Sequence, residues 1–149
     1  MPAQLHAIAT SDLPWVRLRK GLAMRPLHFE PNGYALQLKL DPGTVIPKHR
    51  HTGVVHAINL SGYREIVGDG EIIGPGDFIF EPAGNVDSWR CHGDEPCIIQ
   101  ISLTGRVEYL NEKGEVESYS DSATVLAAYR EHCASEGVAP DPRIVGIVR

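Results

Sequence analysis

The chain has 149 residues, 42% of them hydrophobic, and a formal net charge of −5 at pH 7, which suits one domain able to bury a core without disulfide support. Its Lys and Arg residues are scattered rather than clustered, so neither nucleic acid nor a membrane surface is an expected partner. Three cysteines, Cys91, Cys97 and Cys133, lack a Cys-x-x-Cys spacing; they argue against a disulfide framework or a zinc ribbon and read as reduced thiols.

In chain order, residues 1–22 read as an arm. Met1 to Thr10 lacks a basic segment followed by an apolar run, and no apolar stretch is long enough to span a bilayer, so a soluble cytoplasmic protein is expected. Leu13-Pro-Trp-Val16 fits either a short strand or a docked loop. Ala23 to Phe29 is predicted as an edge strand, because Pro26 removes a ladder donor. The turn Glu30-Pro31-Asn32-Gly33 follows, and then a half-buried strand in which Tyr34, Leu36, Leu38 and Leu40 alternate with Ala35, Gln37 and Lys39.

Gly43 to Gly62 holds three of the seven histidines. Alternate side chains of a strand face the same way, so His49 and His51 project together and Arg50 projects opposite. A tight turn at Thr52-Gly53 would bring back a second strand with Val54, His56, Ile58 and Leu60 on one face, aiming His56 at the same space. Imidazoles so placed suit Zn, Fe, Ni or Cu. For His56 three roles stay open: a ligand, a hydrogen-bond donor behind the ligands, or an acid/base facing substrate.

Short strands and turns then repeat at the spacing of an all-β sandwich or barrel: Glu65 to Val67, Glu71 to Ile73, Asp77 to Phe80, Val86 to Cys91 and Cys97 to Leu103. Gln100 interrupts the last of these and faces either a cavity or solvent. Arg106 to Leu110 and Val116 to Tyr119 form a hairpin. A helix follows, capped by Ser120, Asp121 or Ser122, with an apolar stripe of Val125, Leu126, Tyr129 and Cys133 and with Gly137 at its end. It is expected to pack outside the barrel. The tail residues Ile144, Val145, Ile147 and Val148 are apolar enough to add a strand to this subunit or a neighbour. Residues 1–149 thus read as one domain: the arm, a β-barrel core over 23–119, and a helix and tail over 120–149.

A second motif, Gly76-Asp-Phe-Ile-Phe-Glu-Pro82-Ala-Gly84-Asn-Val-Asp87, joins the first. Together they resemble the two cupin motifs. Gly43, His49, His51, His56 and Gly62 occupy the places of the first, with His56 where Glu is usual; Gly76, Pro82 and Gly84 occupy those of the second, with Asp87 where His is usual. The chain is most similar to the small cupins that include 2,4′-dihydroxyacetophenone dioxygenase and, more distantly, the acetylacetone-cleaving dioxygenases. That likeness runs over residues 35–137 and rests on His49-Arg-His51-Thr-Gly-Val-Val-His56-Ala, Glu81-Pro-Ala-Gly84 and Tyr129-Arg-Glu-His-Cys. The resemblance implies an all-β, single-domain cupin, a jelly-roll barrel with a C-terminal α-helix, that commonly pairs as a homodimer through an N-terminal strand. It implies a mononuclear non-haem Fe(II) and cleavage of a carbon–carbon bond beside a carbonyl by dioxygen, on a small-molecule substrate.

Asp87 leaves the ligand set open. Bound directly, it completes a two-His, one-carboxylate triad with His49 and His51, a set suited to Fe(II) oxygenases. Too short to reach, it leaves a two-His site completed by His56, water or Asp69; unused, it is a loop residue beside a degenerate site. The expected function is therefore a cupin dioxygenase, with Leu36, Leu38, Ile58, Phe78, Phe80 and Ile99 lining its pocket. The alternative is a non-oxygenase cupin, either a Zn- or Ni-dependent enzyme or a sensor module that binds a metal or small molecule.

Overall fold

The computed structural model describes residues 7–145. Two antiparallel six-stranded sheets face each other. The first runs, in spatial order, β1 (Val16–Arg19), β2 (Leu22–Glu30), β3 (Gly33–Leu40), β10 (Cys97–Thr104), β5 (Val55–Ser61) and β8 (Phe78–Glu81). The second runs β12 (Val116–Ser120), β11 (Val107–Leu110), β4 (Val45–His51), β9 (Val86–His92), β6 (Tyr63–Ile66) and β7 (Ile72–Ile73). This is the all-β jelly-roll expected from the alternation of apolar and polar residues. Leu36 and Leu40 of β3, Ile99 of β10, Met24 of β2 and Val55 of β5 are buried between the sheets with Ile46 and Trp89 of the other. Each such aliphatic side chain contributes about 1.5–3 kcal/mol by leaving water.

Gln100 settles on the outer face of the first sheet, where its Oε1 accepts a hydrogen bond from Gln37 Nε2 at 3.1 Å. Arg25 reaches the same network, donating to Gln37 Oε1 and, through Nε, to the carbonyl of Leu13. The Trp15 ring lies beneath the Arg25 guanidinium, 4.2 Å from it, so the arm covers this face as a docked loop and continues as β1.

Two strand expectations are corrected. The strand containing Pro26 is second in its sheet, with β1 outside it; the register shifts between Pro26 and His28, so the missing N–H falls at a bulge instead of an exposed edge. The tail is helical over α2 (Pro142–Val145), with Ile144 buried, while Ile147 and Val148 lie outside the described residues. α1 (Ser122–Ser135) matches its predicted cap and stripe: Asp121 accepts from the Thr124 backbone N–H, the Thr124 hydroxyl accepts from the Asp121 N–H, and Val125, Leu126, Tyr129 and Cys133 are buried. The three cysteines are buried free thiols.

The connection between β4 and β5 crosses from one sheet to the other. At Gly53 a Cβ would lie 2.3 Å from the Thr104 carbonyl oxygen, so the crossover passes closer to β10 than any side chain allows. Thr52 and Val54 tie it down through hydrogen bonds to Arg106 and Thr104.

Candidate metal centre

β4 would ordinarily place Ile46, Lys48 and Arg50 on one face. Its register against β9 shifts between Ile46 and His49, and this bulge at Pro47-Lys48 turns His49 and His51 inward beside Ile46. The same irregularity leaves the Pro47 carbonyl free to accept from His49 Nδ1 at 2.7 Å. That bond assigns the Nδ1 proton and leaves Nε2 of neutral His49 as an electron-pair donor.

Asp87 is paired across the ladder with His49, and its Oδ1 lies 3.1 Å from His49 Nε2. The approach is close but not aligned as a hydrogen bond, so Asp87 Oδ1 is a buried polar atom without a hydrogen-bond partner among the described residues; His51 Nδ1 is another. The two imidazoles meet edge to face with centroids 5.0 Å apart. His51 Nε2 is 3.8 Å from Glu81 Oε2, and Glu81 in turn accepts from Asn85 Nδ2 at 2.6 Å.

These groups perturb one another in definite directions. Burial, then the charge of His49, pushes the His51 pKa down to about 4. Burial works against the charged form of His49 too, but the Asp87 contact and the Pro47 carbonyl outweigh it and hold its pKa above 6.5. Burial and the Asp87 charge raise the Glu81 carboxyl, whereas Asp87, despite its own burial, is held below the ordinary carboxylate value by His49.

Buried, unpartnered donors of this kind are what a divalent cation would satisfy. The donor chemistry fits a non-haem metal: two neutral imidazoles, a carboxylate held in its ionised range and a second carboxylate within reach. The set is loose, since among the described residues no group of three His, Cys, Asp or Glu side chains is already disposed as a complete cage.

His56 does not join them. β5 enters from the crossover with Val55, Ala57 and Asn59 facing in, so His56 is exposed on the outer face beside Phe80 and Phe78, with ring centroids 5.3 and 6.2 Å away. The predicted lining is corrected for the same reason. Phe78 and Phe80 are 64% and 54% exposed and Ile58 shares their face, whereas Leu36 and Leu38 do line the cavity. Asp69 sits in an exposed turn and accepts from the Glu71 N–H.

The cavity above the imidazoles measures about 240 Å³ and is mostly apolar, walled by Leu36, Leu38, Ile46, Val55 and Trp89 and, at the far end, by Thr124, Val125 and Ala128 of α1. The helix predicted to lie outside the barrel is thus also a wall of its interior. Tyr34 and Tyr109 add buried phenols whose pKa values burial raises. Sequence reasoning missed Glu81 and Arg64 as cavity residues. Glu81 alternates in phase with the inward Ile79 and stands two strand positions from it; Arg64 is in phase with Ile66.

Residues 3–107 match the model of the ChrR cupin-like domain family. No curated protein matches the sequence. Among solved structures, an RmlC-like cupin from Ralstonia eutropha JMP134 superposes with a TM-score of 0.88 at 19% identity, covering 95% of this chain and 94% of that one. An acetylacetone dioxygenase from Acinetobacter johnsonii gives 0.77 at 15% identity, over 88% and 94%. ChrR in its complex with SigE from Rhodobacter sphaeroides gives 0.55 at 20% identity, over 64% of this chain and 50% of that one. With a double-sheet barrel, inward histidines and a family match over most of its length, the chain belongs to the ChrR cupin-like family of the cupin superfamily.

Proposed function

We propose that this cupin is a metal-dependent dioxygenase that cleaves a carbon–carbon bond beside a carbonyl in an apolar small molecule, with Fe(II) held by His49, His51 and Asp87. The observation that carries this reading is the pair of buried imidazoles lining a 240 Å³ apolar cavity, with His51 Nδ1 unpartnered and the unpartnered Asp87 Oδ1 3.1 Å from His49 Nε2. Similarity of fold to an acetylacetone dioxygenase supports it by analogy. Bound Fe(II) would supply the redox chemistry toward dioxygen and a Lewis-acidic position for the carbonyl oxygen.

The chain's own residues do the rest. Pro47 orients His49, the aliphatic walls exclude water, and Glu81, whose carboxyl is held above its ordinary pKa, is placed to take a proton at Oε2 from the carbon beside the carbonyl. Glu81 thereby replaces His56 as the acid/base of the reaction. A homodimer in the cytoplasm belongs to the same proposal, and sedimentation of the purified protein tests the pairing.

A second reading, a Zn- or Ni-binding or small-molecule-sensing module without oxygenase activity, is favoured by the family description and by likeness to half of an anti-sigma factor. One experiment separates the two. Untagged protein purified without chelator is analysed for Fe, Zn, Ni, Mn and Cu, as wild type, His49→Ala and Asp87→Ala, and assayed for O2 uptake with α-hydroxyketones and diketones. The oxygenase reading expects near-stoichiometric Fe, a loss of metal affinity of ~10-fold or more in both variants, and Fe-dependent O2 uptake. Stoichiometric Zn or Ni with identical aerobic and anaerobic behaviour favours the second; uptake unchanged in His49→Ala overturns the first.

A further inference from the structure

Arg64 is a charged residue of β6 with 3% of its surface exposed, and it lines the cavity beside His49, His51 and Glu81. Asn59 Nδ2 donates to the carbonyls of Gly62 and Ile73, which fixes the Asn59 amide and turns its Oδ1 to accept from Arg64 Nε at 3.1 Å. The guanidinium carbon stands over the Trp89 ring, 4.9 Å from its centroid, a cation–π contact. Its two terminal nitrogens form no hydrogen bond and no ion pair among the described residues. Glu81 and Asp87 act on it through space only, opposing the fall in pKa that burial imposes.

A buried guanidinium is ordinarily paired, because leaving its charge and its donors unmatched in an apolar setting is costly. Here Nε is held, the guanidinium carbon lies over the Trp89 ring, and the two terminal nitrogens that suit a carboxylate are left without a hydrogen bond on a residue that lines the mostly apolar cavity. From the buried, oriented and unpaired fork of Arg64 we infer that the cavity takes a ligand with an apolar body and one carboxylate, which binds the two terminal nitrogens of Arg64. If the proposed oxygenase reaction holds, on which this refinement of substrate class rests, the substrate is an aryl or branched alkyl acid that also carries a carbonyl. Its carboxylate is anchored at β6 and its carbonyl lies toward His49, His51 and Asp87. Arg64 then sets specificity by positioning substrate, while the metal ligands do the chemistry.

The test uses phenylacetate and its neutral isostere phenylacetamide, titrated calorimetrically into full-length protein incubated with Zn(II), which does no redox chemistry, so that binding is read without turnover. Wild type is expected to bind the acid about 10-fold or more tightly than the amide. Arg64→Gln is expected to abolish that preference while amide affinity changes little, and Arg64→Lys, which keeps the charge, to restore part of it. Wild type that binds neither probe, or both equally, overturns the inference without recourse to any variant, and so does a preference that survives in Arg64→Gln. A preference for the acid in protein that shows no Fe and no O2 uptake upholds the inference while the oxygenase reading fails. Fe-dependent O2 uptake without the preference does the reverse.

Discussion

A single hydrogen bond decides what His49 can do. With its Nδ1 proton given to the Pro47 carbonyl, Nε2 carries the lone pair, and Asp87 competes to draw a second proton onto it. Because the folded pKa of His49 is raised above 6.5, the metal-free protein holds a proton there that an incoming cation must displace. Affinity for metal is therefore expected to increase as pH rises through 6.5 and to level off above the folded value, with release of up to one proton per ion. His51, lowered to about 4, adds no proton to this count near neutrality. Calorimetric titration in two buffers of different ionisation enthalpy measures the release; an affinity flat across that range contradicts the assignment. That His49 and His51 share a face and that Asp87 lies near them was readable from spacing and motif, because a strand's period of two and the cupin-like pattern are local. Glu81 and Arg64 were not, because a charged residue on a short strand points in or out according to a phase that its neighbours in space impose.

The elements that place these side chains depart from regular geometry at two points, the bulge at Pro47-Lys48 and the crossover at Gly53. Alternation along β3, the capping sequence before α1 and the turn residues are local signals, and the corresponding elements formed where the sequence placed them. Pairing is not local. The proline of β2 suggested an edge, yet β1 covers that strand and a bulge absorbs the missing donor. The histidines suggested a hairpin, yet β4 and β5 belong to different sheets, and that change of partner sends His56 outward. Gly53→Ala tests how tightly the crossover is built. Its new methyl would meet the Thr104 carbonyl oxygen at 2.3 Å, so the variant is expected to lose ~1–3 kcal/mol, read as a lower midpoint in urea. A midpoint equal to wild type would show that the crossover gives way at no cost.

Across the whole molecule, the two sheets supply a floor of polar donors and apolar sides, and the closing wall comes from Thr124, Val125 and Ala128 of α1. Filling that end should separate ligand from metal. Ala128→Phe is expected to weaken binding of an apolar ligand by ~10-fold or more while the metal content stays that of wild type, since the new ring narrows the cavity far from the imidazoles. Loss of both together would place the damage in the fold rather than in the cavity. The match to the family ends at residue 107, whereas Tyr119, Ser120 and the three helix residues that face the cavity all come later in the chain. One end of the cavity wall is thus written in a different stretch of the gene product from the candidate metal ligands and Arg64. A grafted C-terminal segment would reshape that end of the cavity while His49, His51 and Asp87 keep their places on β4 and β9.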